Sequence, residues 1–455
     1  MSPLDELRKS LNVKVKNGNK TLKHTINKRV ALLPFKTRNP ERAKFSNGFA
    51  PILGEFFRKI ENKKLMEDLN EVDFVKDISK NVQMEEEDRP YFESILKSFL
   101  YSSNTIRLFH PMMFKYIPLS DNKESTGETD IAHYIYESLL GGGNEDLEET
   151  LKIKKNEHVL VGLVHKFLPE LDKGNTKQMY PQTFPFIREA FMEDLHTLTT
   201  NRDFFMNHIG LFLAYYYFFA STQLTLKLNQ FESMDDSAPT PVYFNLDWEA
   251  SNRNRKANSN GFKLITEAAK KLLIHMNTLE HVNFIMETEN LHYKELVEVF
   301  DALPEEDKDR VLSDLYTWTL EYSQIVVKSD EGIERKQTLE EAYRQLQQQL
   351  FSGVSKETIS RYALSINEVG KVYFLKTRGS LGYTLNVTQD FLLLLTAISV
   401  KKEKISLKQL FVEFEKRGVF FDRYSREEIV KLFNKLNLIE KKSDSGDAQY
   451  VKPIL

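Results

Sequence analysis

The 455-residue chain has no cysteine. Disulfides, thiolate nucleophiles, zinc–thiolate sites and cysteine-ligated iron–sulfur clusters are thereby excluded. The opening stretch MSPLDELRKS has no apolar core of a secretory signal, which makes a cytoplasmic location the default expectation. Ten histidines are present, but none stand in an HExxH or similar close metal spacing, so no metal site is expected. A phosphate loop is also missing. Gly141-Gly142-Gly143 is followed by Asn144-Glu145-Asp146, whose acids would repel a phosphate, and the triplet reads as a helix C-terminus. The acidic runs at 85–88 and 305–309 read as helix-start charge rather than as magnesium ligands. Asp247-Trp248-Glu249 ends a strand-like run and has the two carboxylates of a nuclease core. Ser251, however, occupies the position where such a core needs lysine. No catalytic residue, cofactor or metal is expected.

What is abundant is aromatic surface: 32 Phe and 19 Tyr, which imply large cores or interfaces. The chain is long enough for two or three domains, each with its own core. Its densest stretch is RDFFMNHIGLFLAYYYFFASTQLTLKL, residues 202–228, with no charge from Ile209 to Leu226. A helix apolar on all sides must be covered on all sides. The run only just reaches membrane length, carries Gly210, Ser221, Thr222, Gln223 and Thr225, and holds its tyrosines centrally rather than at interfacial positions. It therefore reads as the spine of a protein core, capped by Thr200 with Asp203 in the first turn, and no membrane partner is expected.

Charge is unevenly spread. Residues 1–44 carry +9, residues 371–455 carry +6, and the middle carries −18. Basic ends around an acidic middle point to polyanion contacts at the ends and protein contacts between them; a merely solvated tail is the other reading of the N-terminus. The pattern predicts a basic arm over 1–45 with β character at 29–33, an α-helical body over 46–370, and a polar loop at 121–130. A linker at 229–241 leaves open a subdivision of the body. Helices are expected over 131–140, 262–276, 293–303, 304–322, 338–351 and 355–367. The run Ser251-Asn252-Arg253-Asn254-Arg255-Lys256, beside the 242–249 strand, is a candidate interaction site.

The end of the chain is the most informative part. A strongly apolar helix over 388–400 is followed by the capping boxes Ser406–Gln409 and Ser425–Glu428, each opening a further helix, the first stopped at Gly418. Strand-like runs at 438–442 and 449–453 flank a turn at 443–447. Three helices and a hairpin make a winged helix over 371–455. On its third helix Ile429, Val430, Leu432, Phe433 and Leu436 are expected inward. Arg426, Lys431, Asn434 and Lys435 are left outward, and Lys441 and Lys442 enter the wing. These six are the candidate DNA-binding residues; a winged helix used only for protein contacts is the alternative. The fold class is thus mainly α: a multi-helix body around a buried central aromatic helix, a C-terminal winged helix and a basic N-terminal arm.

The segments GSLGYTLNVTQDFLLLLTAISV and FDRYSREEIVKLFNKLNLIEKKSDSGDAQYV resemble the DptG family of DNA phosphorothioation-dependent restriction proteins, and HIGLFLAYYYFFASTQLTLKL and PVYFNLDWEASNRNRK extend the likeness to the middle. The resemblance implies a bacterial defence component acting with DptF and the HerA-like ATPase DptH to restrict DNA whose backbone lacks sulfur. It implies the subunit without an NTPase motif. Two classes stay open: an accessory subunit that contacts duplex DNA mainly through its backbone, or a scaffold that joins the ATPase subunits without touching DNA. In either case the purified protein is expected to hydrolyse no ATP and to leave duplex DNA uncut. Metal-dependent nicking abolished by Asp247→Ala would contradict that expectation.

Overall fold

The computed structural model describes all residues except 1, 17–18, 37–42, 67–70, 103–104, 122, 155–156, 175–176 and 442–448. The chain is mainly helical, with only short strands. At its centre runs the helix Arg202–Leu228, in which every residue from Phe212 to Leu228 is buried. Its N-cap is Asn201, whose side chain accepts from the Phe204 amide; Thr200, the expected cap, instead closes the preceding helix Pro185–Thr199. Among the described residues this is the one helix long and apolar enough to cross a membrane, and 89% of that window is buried inside the protein.

Rings from several elements cover it. Phe191 meets Tyr216 edge-on at 5.1 Å, Phe374 lies 4.9 Å from Phe218, and Phe391 lies 4.7 Å from Tyr215. Such pairs add to the area burial of large side chains. Four of the buried polar residues on the helix, Thr222, Gln223, Thr225 and Lys227, find partners. Thr222 and Thr225 donate back to the carbonyls of Phe218 and Ser221. Gln223 exchanges two hydrogen bonds with the Thr240 backbone at 2.7 and 3.0 Å. The Lys227 ammonium donates to the carbonyls of Ala238, at 2.8 Å, and Asp235. The 229–241 segment therefore folds back onto the helix it follows, because a buried lysine and a buried glutamine need its carbonyls.

A second helix, Leu272–Ile285, is buried along its whole length. The expected single helix over 262–276 breaks at Lys270–Lys271 into Phe262–Ala269 and this longer element; the one expected over 355–367 breaks at Ala363 into Lys356–Tyr362 and Leu364–Tyr373. The expected loop at 121–130 is helical from Glu124, with Gly127, Glu128 and Ile131 buried on its inner face. One apolar cluster extends from Leu4 to Val451. A separate, smaller one joins the helices Glu71–Lys80, Arg89–Leu100 and Val159–Phe167 through Phe74, Ile78, Leu96 and Val164.

The N-terminal segment is packed onto the body. Ser2 caps a helix, Pro3–Ser10, that buries Leu4 and Leu7. A short hairpin pairs Lys14–Lys16 with Asn19–Thr21. No strand forms at 29–33. Instead the Glu280 carboxylate accepts the backbone amides of Lys28 and Arg29 at 2.9 Å and of Val30 at 3.0 Å. Arg8 and Lys20 both reach Glu321, and Arg29 pairs with Glu6 and Glu289. Part of the charge segregation is thus answered within the chain, basic N-terminus against acidic middle.

Burial pushes Glu280 up to about 7, against the pull of those three amides. A carboxyl raised in the folded state contributes stability that is present below its unfolded value, about 4.5, and lost as pH rises through about 7. The loss is on the order of 3 kcal/mol. Urea titrations should show this fall in the wild type and a flatter profile in Glu280→Gln, whose amide does not ionise. Identical profiles would contradict the assignment.

Candidate nucleic-acid interface

Near the C-terminus the helices Gln389–Val400, Leu407–Lys416 and Arg423–Lys435 are followed by the strands Ile439–Lys441 and Gln449–Val451. These strands pair antiparallel, Ile439 opposite Val451 and Lys441 opposite Gln449, and Ile405–Ser406 adds a third strand on the other side of Gln449–Val451. Thr388 and Ser406 cap the first two helices through the amides of Phe391 and Gln409. The second helix ends where Gly418 takes φ +76°, and a Cβ there would lie 2.1 Å from the Phe219 ring of the central helix. Glycine is needed for both conformation and approach. The third helix starts earlier than expected. Asp422, not Ser425, is its N-cap, accepting the Ser425 amide at 3.1 Å, while Ser425 is buried inside the first turn.

The candidate residues fall into three groups. Arg426 is held down: its guanidinium lies 4.8 Å from the Phe411 ring centroid, reaches Glu415 at 2.5 Å and donates to the Phe421 carbonyl at 3.0 Å. Lys431 and Asn434 are exposed, Lys431 paired with Glu428 at 2.6 Å and Asn434 donating to the Val430 carbonyl. Lys435 and Lys441 are exposed at the end of the helix and in the strand Ile439–Lys441. Lys442 and the 443–447 turn lie outside the described residues. Ile429 and Phe433 face inward as expected, but Leu436 is exposed.

Two buried ionic clusters fix these helices to the body. In the first, Arg417, 1% exposed, donates to both carboxylate oxygens of the fully buried Asp194 at 2.5 and 2.7 Å. Tyr216 of the central helix donates to the same carboxylate at 2.5 Å, and Tyr215 donates to the Arg417 carbonyl. Burial alone would lower the Arg417 pKa; the Asp194 charge outweighs it and raises it. In the second, Arg255 donates to Asp422 at 2.6 and 2.7 Å, to Ser425 at 2.8 Å and to Glu249 at 3.2 Å. Burial works against ionisation of Asp422, and the bonds from Arg255 overcome it and hold its pKa low.

The second cluster explains the Asp247-Trp248-Glu249 turn. Asn245–Leu246 pairs in parallel with Tyr383–Val387. Glu249 turns inward to accept the Leu246 amide at 2.8 Å and the Ser425 hydroxyl at 2.9 Å. Asp247 pairs with Lys376 at 2.6 Å, a contact that lowers its pKa. One carboxylate is thus committed to an internal hydrogen-bond cluster and the other to a surface ion pair. Among the described residues no group of three or more His, Asp or Glu converges to hold a metal ion.

Between the 243–256 segment and the start of the third helix lies an open groove of about 990 Å³, lined by Tyr243, Asn254, Lys256, Arg423, Tyr424 and Lys431 among others. Sequence reasoning marked Lys431 on the helix and the 251–256 run separately. It gave no means of bringing them together, since the contact depends on Arg255 reaching 167 positions ahead to Asp422. Tyr424 and Arg423 were missed. Their only sequence signal is an exposed aromatic beside a cation just after a helix cap.

A scan against protein-family models and a search of curated proteins returned no match to this chain.

Removing one partner of a buried ion pair strands the other charge at a cost of about 3–5 kcal/mol. Arg417→Met should therefore lower the unfolding free energy by about that much. Adding Asp194→Asn should recover part of the loss in chemical denaturation. A single variant as stable as the wild type would show that the pair does not hold these helices in place.

Proposed function

We propose that residues 371–455 form a winged helix that contacts duplex DNA through its phosphates. In this reading the chain is a non-catalytic subunit of a bacterial DNA phosphorothioation-dependent restriction complex, acting beside the DptF and DptH partner proteins. The observation that carries the DNA contact is the pair of exposed lysines, Lys435 at the end of the third helix and Lys441 in the adjoining strand. Neither has an ion-pair partner among the described residues. Phosphate contacts need cations free to replace condensed counterions, with no base-specific geometry. Lys431 is available too. Its pair with Glu428 is 71% exposed on the lysine side, and exposed i,i+3 pairs are weak enough to be exchanged for a phosphate. The restriction assignment rests on the family resemblance of the sequence.

A second reading is a scaffold that bridges the ATPase partners without touching DNA. What favours it is Arg426, whose charge is spent on Glu415 and whose face is spent on Phe411. Anisotropy of labelled duplex DNA across a salt series separates the two. The duplex reading expects weak, sequence-tolerant binding whose log–log salt slope flattens by about 1 for each lysine lost in Lys435→Ala and Lys441→Ala. Unchanged affinity and slope in the folded double variant would favour the scaffold.

A further inference from the structure

The groove at the start of the third helix has features that a duplex phosphate contact does not use. Tyr424 is 63% exposed, yet its ring is not loose. The Arg255 guanidinium lies 5.0 Å from the ring centroid. That guanidinium is itself immobilised by Asp422, Ser425 and Glu249, and by the Ala250 carbonyl at 3.1 Å. One face of the tyrosine is therefore backed by a fixed cation while much of the ring stands in solvent, a ready platform for a second flat group. Lys256, Arg423 and Lys431 line the same groove, together with the carboxylates of Asp422 and Glu427, which are engaged by Arg255 and Arg423. Arg423 is paired with Glu427 at 2.8 Å across one exposed helix turn, a contact that a phosphate can replace. Asn254 and Gln449 bring amide groups able to donate and accept hydrogen bonds. Lys256 lies over the Tyr243 ring at 5.1 Å, which ties the body side of the groove together as well.

We propose that this groove binds a single strand of nucleic acid, stacking a base on Tyr424 with the flanking phosphates on Lys256, Arg423 and Lys431. A backed aromatic within a basic groove is the arrangement by which unpaired strands are held without sequence preference. The body segment at 243–256 borders the helix start, making a cleft there, and unstacked bases enter clefts more readily than a stiff duplex does. The assignment deepens the DNA reading above and rests on it: the same module would touch duplex with Lys435 and Lys441 and an opened strand with Tyr424.

The test uses the full-length protein, a fluorescein-labelled oligothymidylate of about 12 nucleotides and a blunt duplex of the same length. Tyr424→Ala should weaken oligothymidylate binding about tenfold or more and leave duplex affinity unchanged, while Tyr424→Trp should retain both. The solvent exposure of Tyr424 makes these variants compatible with folding, which circular dichroism checks. Oligothymidylate binding that is indifferent to Tyr424→Ala overturns the proposal. So does duplex binding with no oligothymidylate binding, a result that leaves the duplex reading standing. Binding to neither probe overturns both readings.

Discussion

A helix that is apolar on every side dictates its own surroundings. From Phe212 to Leu228 no residue of the central helix is left to solvent, so elements from distant parts of the chain must converge on it. The helix Pro185–Thr199 covers one side through Phe191, and Gln389–Val400 and the end of Leu364–Tyr373 cover another through Phe391 and Phe374. The same helix also has a polar requirement. Tyr215 and Tyr216 carry hydroxyls into a fully buried region, and the Asp194–Arg417 pair satisfies them. Arg417 belongs to the C-terminal helices, so the need to pair two buried hydroxyls also fixes where those helices sit.

That anchoring also shapes the surface beside it. The Arg255–Asp422 contact adds a second fixed point at the start of the third helix. With Arg417 holding the end of the preceding helix, the Leu407–Lys416 and Arg423–Lys435 pair is tied at the turn between its two members. The surface there is composite, part helix and part 243–256 segment, and its geometry is held by these contacts. Preorganised contacts lose less entropy on binding than mobile ones. Lys435 and Lys441, with no ion-pair partner among the described residues, lie further along, away from the tied end.

Much of the helical content was legible in the sequence, because apolar periodicity and caps are local signals. Ser406 caps Leu407–Lys416 as expected, and the helices expected over 304–322 and 338–351 form as Glu305–Tyr322 and Leu339–Gly353, with Pro304 and Thr338 at their N-caps rather than inside them. The left-handed Gly141 likewise closes a helix, as its triplet suggested. Long-range polar contacts were not legible. Ser425 looked like a cap and is a buried hydroxyl serving Glu249; Glu249, whose nuclease pattern failed at Ser251, is an anchor for Arg255 that no local signal shows. The N-terminal segment read as a basic arm because its charge is visible in the sequence, whereas the acceptor for its backbone, Glu280, lies about 250 residues away. Among the six candidate DNA contacts, the partners of Arg426 were hidden for a similar reason: nothing local shows that Phe411 and Glu415 lie against it.

The proposed nucleic-acid surface comprises the third helix, the strand Ile439–Lys441 and the groove beside Tyr424. Hydrogen exchange on the full-length protein, with and without a partly single-stranded duplex, tests it most directly. Added protection is expected only in peptides covering 251–256, 423–435 and the paired strands 439–441 and 449–451, with the helix Arg202–Leu228 equally protected in both states. Bound nucleic acid that protects other surfaces and leaves these segments unchanged would contradict it.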